Sequence, residues 1–340
     1  MIDWIRFRVA CTHIPNELAS GHVVSLKNDG EIEWHTAKRL IVEGSYSKTI
    51  TIRSYTDNTI EIEGNPAKFL QGHNVFGSND LQHLALKTFD RLCMHDELKL
   101  TPTDQEYYAI EDGQYYVGRV DVNEHFSVPS AAQAKAFIRA ISNSANMRHR
   151  GPGIFKGDTL YFSPASKRSV GKIYHKGDEI LSSDPKHRLP DELLQIPELV
   201  EYAQNSVRLE LKILSTQLKE WELHRGCNWT PETPTILLNE QFIEKLQLSP
   251  NMAVDYDLVK QMPSKVRLTY TGWVNGEDLR AVLSPATFKR HRKELLNFGI
   301  DIAVVQTKEK KDTNIIPMIR YLEAIPMGIP DWAYQKGLVA

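Results

Sequence analysis

The chain has 340 residues, enough for two domains, and its 41% hydrophobic and 25% charged residues are typical of a soluble globular protein. A formal net charge of −2 and a pI of about 6.6 exclude a uniformly basic protein that coats polyanions, but they allow a DNA-binding protein whose basic residues share one face. No apolar run is long enough to cross a bilayer, the N-terminus has no secretory leader, and the three cysteines lack disulfide or metal-ligand spacing, so we expect a cytoplasmic protein.

The first 65 residues are rich in strand patterns. Apolar and polar residues alternate in WIRFRVA, HVVSLK, EIEWH, KTITIRSY and TIEIEG, with turn signals between them, which predicts an antiparallel meander with one solvent-facing side. The next stretch, NPAKFLQGHNVFGSNDL (65–81), is too irregular for an ordinary strand or helix. Leucines at helical spacing then predict a helix that covers the sheet.

The rest of the chain divides into strand-rich and helix-rich parts. We predict strands at 114–122, 159–164, 169–176 and 206–214, a helix over 130–142, a basic glycine-rich loop at 143–158, and a helix that ends near Asn205. Beyond about residue 225 short helices dominate, and 275–302 contains two that are broken at Ser284-Pro285, with the second stopping at Gly299. The predicted fold is therefore α+β: an antiparallel-sheet domain over 1–220, then a smaller, mostly helical domain over 221–340.

Several acidic residues lie inside apolar strands. Asp121 in RVDV and Glu210 in RLEL each follow an arginine two positions earlier, which places arginine and acid on one strand face. Together with Glu61 and with His73 from the irregular stretch, they could form a mixed oxygen and nitrogen site for Mg²⁺ or Mn²⁺. The alternative is that strand alternation sends each acid to solvent.

Tyr174 is one of 13 tyrosines, but its surroundings are unusual. Lys172, His175 and Lys176 flank it, and Lys167 and Arg168 lie just upstream. A phenol needs a nearby cation or metal to attack as a phenolate, and the same cations would hold a phosphate. The alternative is an ordinary core or surface ring.

The segment FKRHRKELL contains a basic helical strip, in which Lys289, Arg292 and Lys293 share one helical face and Arg290 and His291 flank them. It is either a solvated helix face or the second helix of a helix-turn-helix pair that lies in a DNA major groove.

The stretch PAKFLQGHNVFGSNDL closely resembles a signature of the filamentous-phage gene II/X replication initiators. The resemblance recurs in the same order at GRVDV, GKIYHKGDE, VRLELKI and IPMIRYLEA. It implies a rolling-circle initiator that nicks one strand of double-stranded phage DNA at the origin, stays attached to the 5′ phosphate through a tyrosine, and later rejoins the displaced strand. There is no Walker motif, so unwinding would be left to a host helicase and the host replication machinery.

The resemblance also implies roles for particular residues. It places the covalent link on Tyr174, with Lys176 beside it as a second catalytic residue. The His-x-His metal motif of other rolling-circle initiators is absent, so we predict a variant divalent-metal site, for Mg²⁺ or Mn²⁺, that uses His73 with Asp121, Glu61 and Glu210. The predicted DNA contacts are Lys68, Asn74, Arg148, Arg150, Lys167, Arg168, Lys172, Lys289, Arg290, Arg292 and Lys293.

Two other functions remain open from the sequence alone. One is an origin-binding or regulatory protein without chemistry, because basic helices alone can bind DNA. The other is a relaxase or transposase-like nickase of a mobile element, which would use the same chemistry.

Overall fold

The computed structural model describes residues 1–128, 130–144, 146–147, 151–247, 262–274, 277–297, 301–303 and 327–339. Its main feature is a ten-stranded, fully antiparallel sheet with strand order β2-β3-β4-β5-β1-β6-β12-β11-β10-β9, beside a small sheet of order β13-β7-β8. The strands are β1 (Ile2–Ala10), β2 (Ala19–Leu26), β3 (Ile32–Glu43), β4 (Thr49–Thr56), β5 (Thr59–Gly64), β6 (Tyr116–Ser127), β7 (Asn146–Met147), β8 (Gly151–Pro152), β9 (Ile154–Lys156), β10 (Thr159–Phe162), β11 (Ser169–His175), β12 (Ser206–Leu214) and β13 (Leu246–Gln247).

Helices cover one face and one end of the large sheet. They are α1 (Pro66–Gln71), α2 (Leu81–Cys93), α3 (Asp104–Glu111), α4 (Ala131–Ser144), α5 (Lys176–Ile180), α6 (Asp191–Leu194), α7 (Pro197–Gln204), α8 (Ser215–Glu220), α9 (Thr233–Leu238), α10 (Ser264–Val274), α11 (Leu279–Val282), α12 (Pro285–Leu296) and α13 (Asp331–Gln335). None of these described helices is both long and apolar enough to span a membrane.

The two faces of the sheet differ in polarity because side chains alternate along each strand. In β1, Ile5 and Phe7 are buried under the helices, whereas Arg6 and Arg8 point to the opposite face. The predicted antiparallel arrangement with one wet face is thus confirmed, and the polar face is where the candidate site lies.

The irregular stretch after the meander contains a short helix, which the sequence pattern does not predict. Asn65 caps α1 by accepting a hydrogen bond from the backbone of Lys68, and Pro66 fills the first turn. Gly72 ends the helix with a φ of 87°, and a side chain there would collide with the ring of Tyr46. Strand β6 also runs farther than predicted, because it continues to Ser127 instead of ending at residue 122.

Helices α10, α11 and α12 form a small unit around their own apolar cluster. The predicted break at Ser284-Pro285 is confirmed, because Ser284 caps α12 at its first turn. The helix ends at Leu296, and Gly299, its predicted end, lies outside the described residues. The division of the chain at 220/221 stays a prediction. Two parts of the predicted second domain, α9 and residues 329–339, pack on the sheet domain and on helices α5–α7.

Candidate active site

The polar face of the sheet holds a cleft of about 1040 Å³. Its floor is formed by β1, β6, β12 and β11, and its rims by residues 47–49 and 182–187. Acidic, basic and aromatic side chains line it together. The basic side chains among them, such as Lys48, Lys68 and Lys172, are of the kind that contacts phosphates.

Tyr174 lies in β11, where alternation turns it and Lys172 towards the cleft. Its hydroxyl donates a hydrogen bond to Oε2 of Glu210 on the neighbouring strand β12, over 3.1 Å, and the ammonium of Lys172 pairs with Oε1. Burial, with the negative charge of Glu179, raises the pKa of Tyr174 well above its ordinary value. The phenol is therefore protonated at rest, and Glu210 is positioned to take its proton.

Asp121 lies on β6, next to β12, and forms a two-point ion pair with Arg119 at 2.7 and 2.6 Å. Burial raises the pKa of Asp121 to about 6 against the opposing effect of Arg119, and the charge of Glu210 adds to the rise. Mg²⁺ is commonly held by one or two carboxylates together with substrate phosphates and water. Asp121 and Glu210 are ligands of the type that such a cation takes, although in this structure each is ion-paired, with Arg119 and Lys172 respectively.

The structure does not bring the four predicted metal ligands together. Glu61 is only 1% exposed in its side chain and accepts from Arg8, Arg39 and Arg53 at 2.6–2.8 Å, so it balances arginines instead of facing the cleft. His73 is buried away from the cleft lining, where burial, with the nearby charge of Lys176, lowers its pKa to about 4. Across the described ranges, no three His, Cys, Asp or Glu side chains are arranged to hold a metal ion.

Lys176 lies beneath the cleft and does not line it. It is fully buried at the start of α5, and its ammonium donates to Oδ1 of Asn74 at 2.8 Å and to Glu179 at 2.5 Å. This position differs from the predicted role beside the nucleophile, because the ammonium has no exposed path to a phosphate. Lys176 instead holds the floor of the cleft.

Arg208 was not predicted, although it is central to that floor. It is completely buried on β12 and donates to Asp3, to the backbone carbonyl of Asn74, and to Nε2 of His125. Burial and Arg208 keep the pKa of His125 well below its ordinary value, so the ring is neutral and its Nδ1–H donates to Ser206 at 3.1 Å. The period-two polar positions of VDVNEHF, continuing past residue 122, were the available signal for His125.

The predicted DNA-contact residues fall into separate groups. Lys68 and Lys172 line the cleft. Asn74 reaches its lining but is only 4% exposed, and its amide bonds Asp3 and Lys176, so it is not free to contact DNA as predicted. Lys167 and Arg168 are exposed in the turn between β10 and β11, outside the cleft lining, and Arg168 pairs with Glu220. Of the predicted contacts on α12, Lys289, Arg290 and Lys293 are exposed, whereas Arg292 pairs with Asp301 at 2.7 Å. Arg148 and Arg150 lie outside the described residues.

Comparisons with known proteins match most of the chain to phage replication-associated proteins. The family model for the N-terminal region of the phage replication-associated protein, the gene II product, matches residues 1–232, and the model for the C-terminal region of the same protein matches residues 257–339. The chain is 36% identical over 337 residues to the replication-associated protein of Enterobacteria phage I2-2, covering 97% of this chain and 95% of that protein. It is 28% identical over 182 residues to the protein of the same name from Enterobacteria phage M13, covering 48% of this chain and 42% of that protein. A solved rolling circle replication initiator from Geobacillus stearothermophilus aligns at 12% identity and a TM-score of 0.32, over 80% of this chain and 94% of that chain, which is too distant to support an argument.

Proposed function

This chain belongs to the replication-associated protein (gene II) family of filamentous phages, and on that premise we propose that it initiates rolling-circle replication by nicking one strand of the phage origin. The protein would remain joined to the 5′ phosphate through Tyr174 and later rejoin the displaced strand into a circle. The observation that carries the proposal is the Tyr174 hydroxyl, which lies in a polar cleft and is hydrogen-bonded to a carboxylate.

The chemistry begins with the proton of the phenol. Oη of Tyr174 attacks the phosphorus as its proton passes to Oε2 of Glu210, 3.1 Å away. The bond from phosphorus to the 3′ oxygen breaks, and that oxygen leaves as a hydroxyl after taking a proton from solvent water. The new phosphotyrosine diester keeps the energy of the broken bond, so the 3′ hydroxyl can reverse the step without ATP.

Lys172 connects the proton acceptor with the substrate. Glu210 and Asp121 raise the pKa of Lys172 against the opposing effect of burial, so this lysine is charged when DNA arrives. A phosphate in the cleft competes with Glu210 for the ammonium, and a carboxylate that loses part of its cation becomes a better base. Substrate binding thus prepares Glu210 to accept the phenolic proton.

A divalent cation fits the same place. Asp121 would hold it together with phosphate oxygens and water, beside Glu210, and it would supply positive charge to the phosphate during the reaction. Arg119 and Lys172 neutralise those carboxylates in the present arrangement.

Recognition of the origin fits the α10–α12 unit. The exposed side chains of Lys289, Arg290 and Lys293 on α12 would meet phosphates or bases of the double-stranded origin. The implied partners are origin DNA and the host helicase and replication machinery, in the host cytoplasm.

A supercoiled plasmid that carries the origin region of the parent phage tests the proposal. With Mg²⁺, the wild-type protein should convert it to open circles that keep protein on the 5′ end. Tyr174→Phe should reduce nicking to below detection while still binding the plasmid, because it removes only the attacking oxygen. Tyr108→Phe is the control, since this exposed tyrosine lies on α3 at the opposite face of the sheet.

Two results would contradict the proposal in different ways. Normal nicking by Tyr174→Phe would exclude this nucleophile and direct attention to Tyr161, which lines the same cleft, or to Tyr116. Binding to the origin with no nicking by the wild-type protein would instead support a non-catalytic origin-binding protein.

A further inference from the structure

A group of five arginines, which we call the arginine cluster, lies on the polar face of the sheet beside the catalytic cleft. Strand β5 contributes two glutamates at its centre, and the arginines come from the strands on both sides. The arginines of the cluster are Arg6, Arg8, Arg39, Arg53 and Arg119. Their side chains expose between 17% and 29% of their surface, so solvent and ligands can reach them.

The two glutamates hold the arginines in place from beneath. Glu61 accepts from three of them at 2.6–2.8 Å, and Glu63 pairs with Arg39, with Arg119 at 3.6 Å and with Arg6 at 4.0 Å. Although burial opposes it, the hydrogen bond from Arg8 and the charges of Arg53 and Arg39 keep the pKa of Glu61 below its ordinary value. Five guanidinium groups thus face Glu61, Glu63 and Asp121, which leaves two positive charges in excess on a rigid surface that favours a polyanion.

Aromatic rings alternate with these cations. The guanidinium of Arg8 lies 3.7 Å from the centre of the Tyr55 ring and 5.5 Å from that of Tyr116. On the side towards the cleft, Arg119 lies 4.8 Å from the ring of Trp4. The Tyr55 side of the cluster is open, because that residue is 46% exposed. Rings and guanidinium planes of this kind stack with unpaired bases while the charges meet the backbone.

The cluster and the cleft form one continuous surface. Trp4, Arg39 and Arg119 line the same cleft as Tyr174. Strand β11, which carries Tyr174, and strand β4, which carries Tyr55, are five strand positions apart, or roughly 24 Å across the sheet at about 4.8 Å per strand. The strand register also sets Tyr55 about ten residues along the strands from Tyr174, or roughly a further 33 Å at about 3.3 Å per residue, whereas Trp4 and Arg119 lie nearer to Tyr174. A DNA strand with one phosphate at Tyr174 would therefore reach the cluster within several nucleotides.

We propose that the arginine cluster, with Trp4, Tyr55 and Tyr116, is a binding site for single-stranded DNA next to the bond that Tyr174 cuts. A single strand is favoured over a duplex because the rings offer their faces, and base faces are accessible only when bases are unpaired. This inference depends on the proposed function for its biological role, but the binding itself is separately measurable.

Fluorescence anisotropy with a labelled oligothymidylate of about 12 nucleotides tests the site, in a Tyr174→Phe background that cannot react. Tyr55→Ala should weaken binding about 5- to 150-fold, the range that corresponds to the loss of one base stack. Tyr55→Phe should restore it, since the ring remains. Arg8→Ala should also weaken binding, and it should lower the slope of log affinity against log salt by about 0.7 for each phosphate that Arg8 neutralises in the wild type.

Controls and opposing outcomes separate this site from general DNA binding. Arg91→Ala and Tyr108→Ala, on exposed positions of α2 and α3, should leave binding unchanged, and Tyr55→Ala should leave binding to a duplex of equal length unchanged. Wild-type affinity of Tyr55→Ala for the oligothymidylate would overturn the proposal, as would equal weakening on single strand and duplex. If Tyr174→Phe still nicks the plasmid while these binding results hold, the proposed nucleophile is wrong and the binding site stands. If Tyr174→Phe does not nick but Tyr55→Ala binds the oligothymidylate normally, only the proposed binding site is wrong.

Discussion

The buried pair of Lys176 and Glu179 should make the free energy of unfolding depend on pH to a measurable extent. Burial, with the charge of Arg208, lowers the pKa of Lys176 from 10.5 to about 7. Because its folded pKa lies below its unfolded one, the folded protein binds fewer protons between those two values than the unfolded chain does. The contribution of Lys176 to the free energy of unfolding therefore rises with pH across that window, and below about pH 7 the cost of the buried ammonium is present in full.

We expect Glu179→Gln to destabilise the protein more at pH 6 than at pH 9. At pH 9 Lys176 is already neutral, so the variant loses one hydrogen bond to Lys176 and the ion pair of Glu179 with Lys68, and the loss of that ion pair is the same at both pH values. At pH 6 the wild type holds a paired ammonium, whereas the variant must leave it unpaired or release its proton. At pH 6, one unit below a pKa of about 7, keeping the proton on Lys176 stabilises the folded wild type by about 1.4 kcal/mol. We therefore expect Glu179→Gln to lower the free energy of unfolding by about 1.4 kcal/mol more at pH 6 than at pH 9.

Urea unfolding followed by tryptophan fluorescence at both pH values measures the difference. Both proteins should carry His187→Ala, so that the imidazole 3.6 Å from Glu179 takes no part. Glu198→Gln is the matched control, because it breaks an exposed ion pair with Lys336 and should cost the same at both pH values. A Glu179→Gln cost that does not change with pH would refute the assignment of a strongly lowered pKa to Lys176.

Two further predictions concern the floor of the cleft and its support. Arg208→Met should destabilise the protein by about 3–5 kcal/mol in urea unfolding, because it leaves the buried carboxylate of Asp3 without its cation, whereas Arg91→Met on the exposed side of α2 should change little. Trp332→Ala should lower the free energy of unfolding by about 2 kcal/mol and increase proteolytic cleavage after residue 327. The reason is that the ring of Trp332 packs 5.6 Å from that of Phe76 and holds the C-terminal segment on the sheet domain. Unchanged cleavage would contradict this prediction.

Strand patterns in the sequence predicted most of the sheet because alternation is a local property. The same alternation placed Asp121 on the face of Arg119, and the two-point pair between them follows directly. The juxtaposition of Tyr174 and Glu210 needed the pairing of β11 with β12, which sequence spacing does not provide. From the sequence alone, a contact between Tyr174 and Glu210 is one of several possible arrangements.

Residues that act through distant partners could not be assigned in the same way. Glu61 was a reasonable metal ligand when its neighbours in space were unknown, but β1, β3 and β4 each bring an arginine to it. The polar stretch around His73 suggests a metal ligand, but it is the side chain of Asn74 that bonds the residues under the cleft. Burial depends on tertiary packing, which a pattern within one segment does not report.

Asn74 explains why the stretch after the meander is so polar. Its Nδ2 donates to Asp3 at 2.7 Å, its Oδ1 accepts from Lys176 at 2.8 Å, and its backbone carbonyl accepts from Arg208. An aspartate here would lack the donor and would face the carboxylate of Asp3, and an apolar residue would leave the side-chain partners incomplete. Asn74 thereby joins β1, β12 and the start of α5 into one buried network directly under the cleft. Under the proposed mechanism the nucleophile needs a floor that does not shift, and we infer that the stretch contributes by fixing the strands that carry Tyr174 and Glu210.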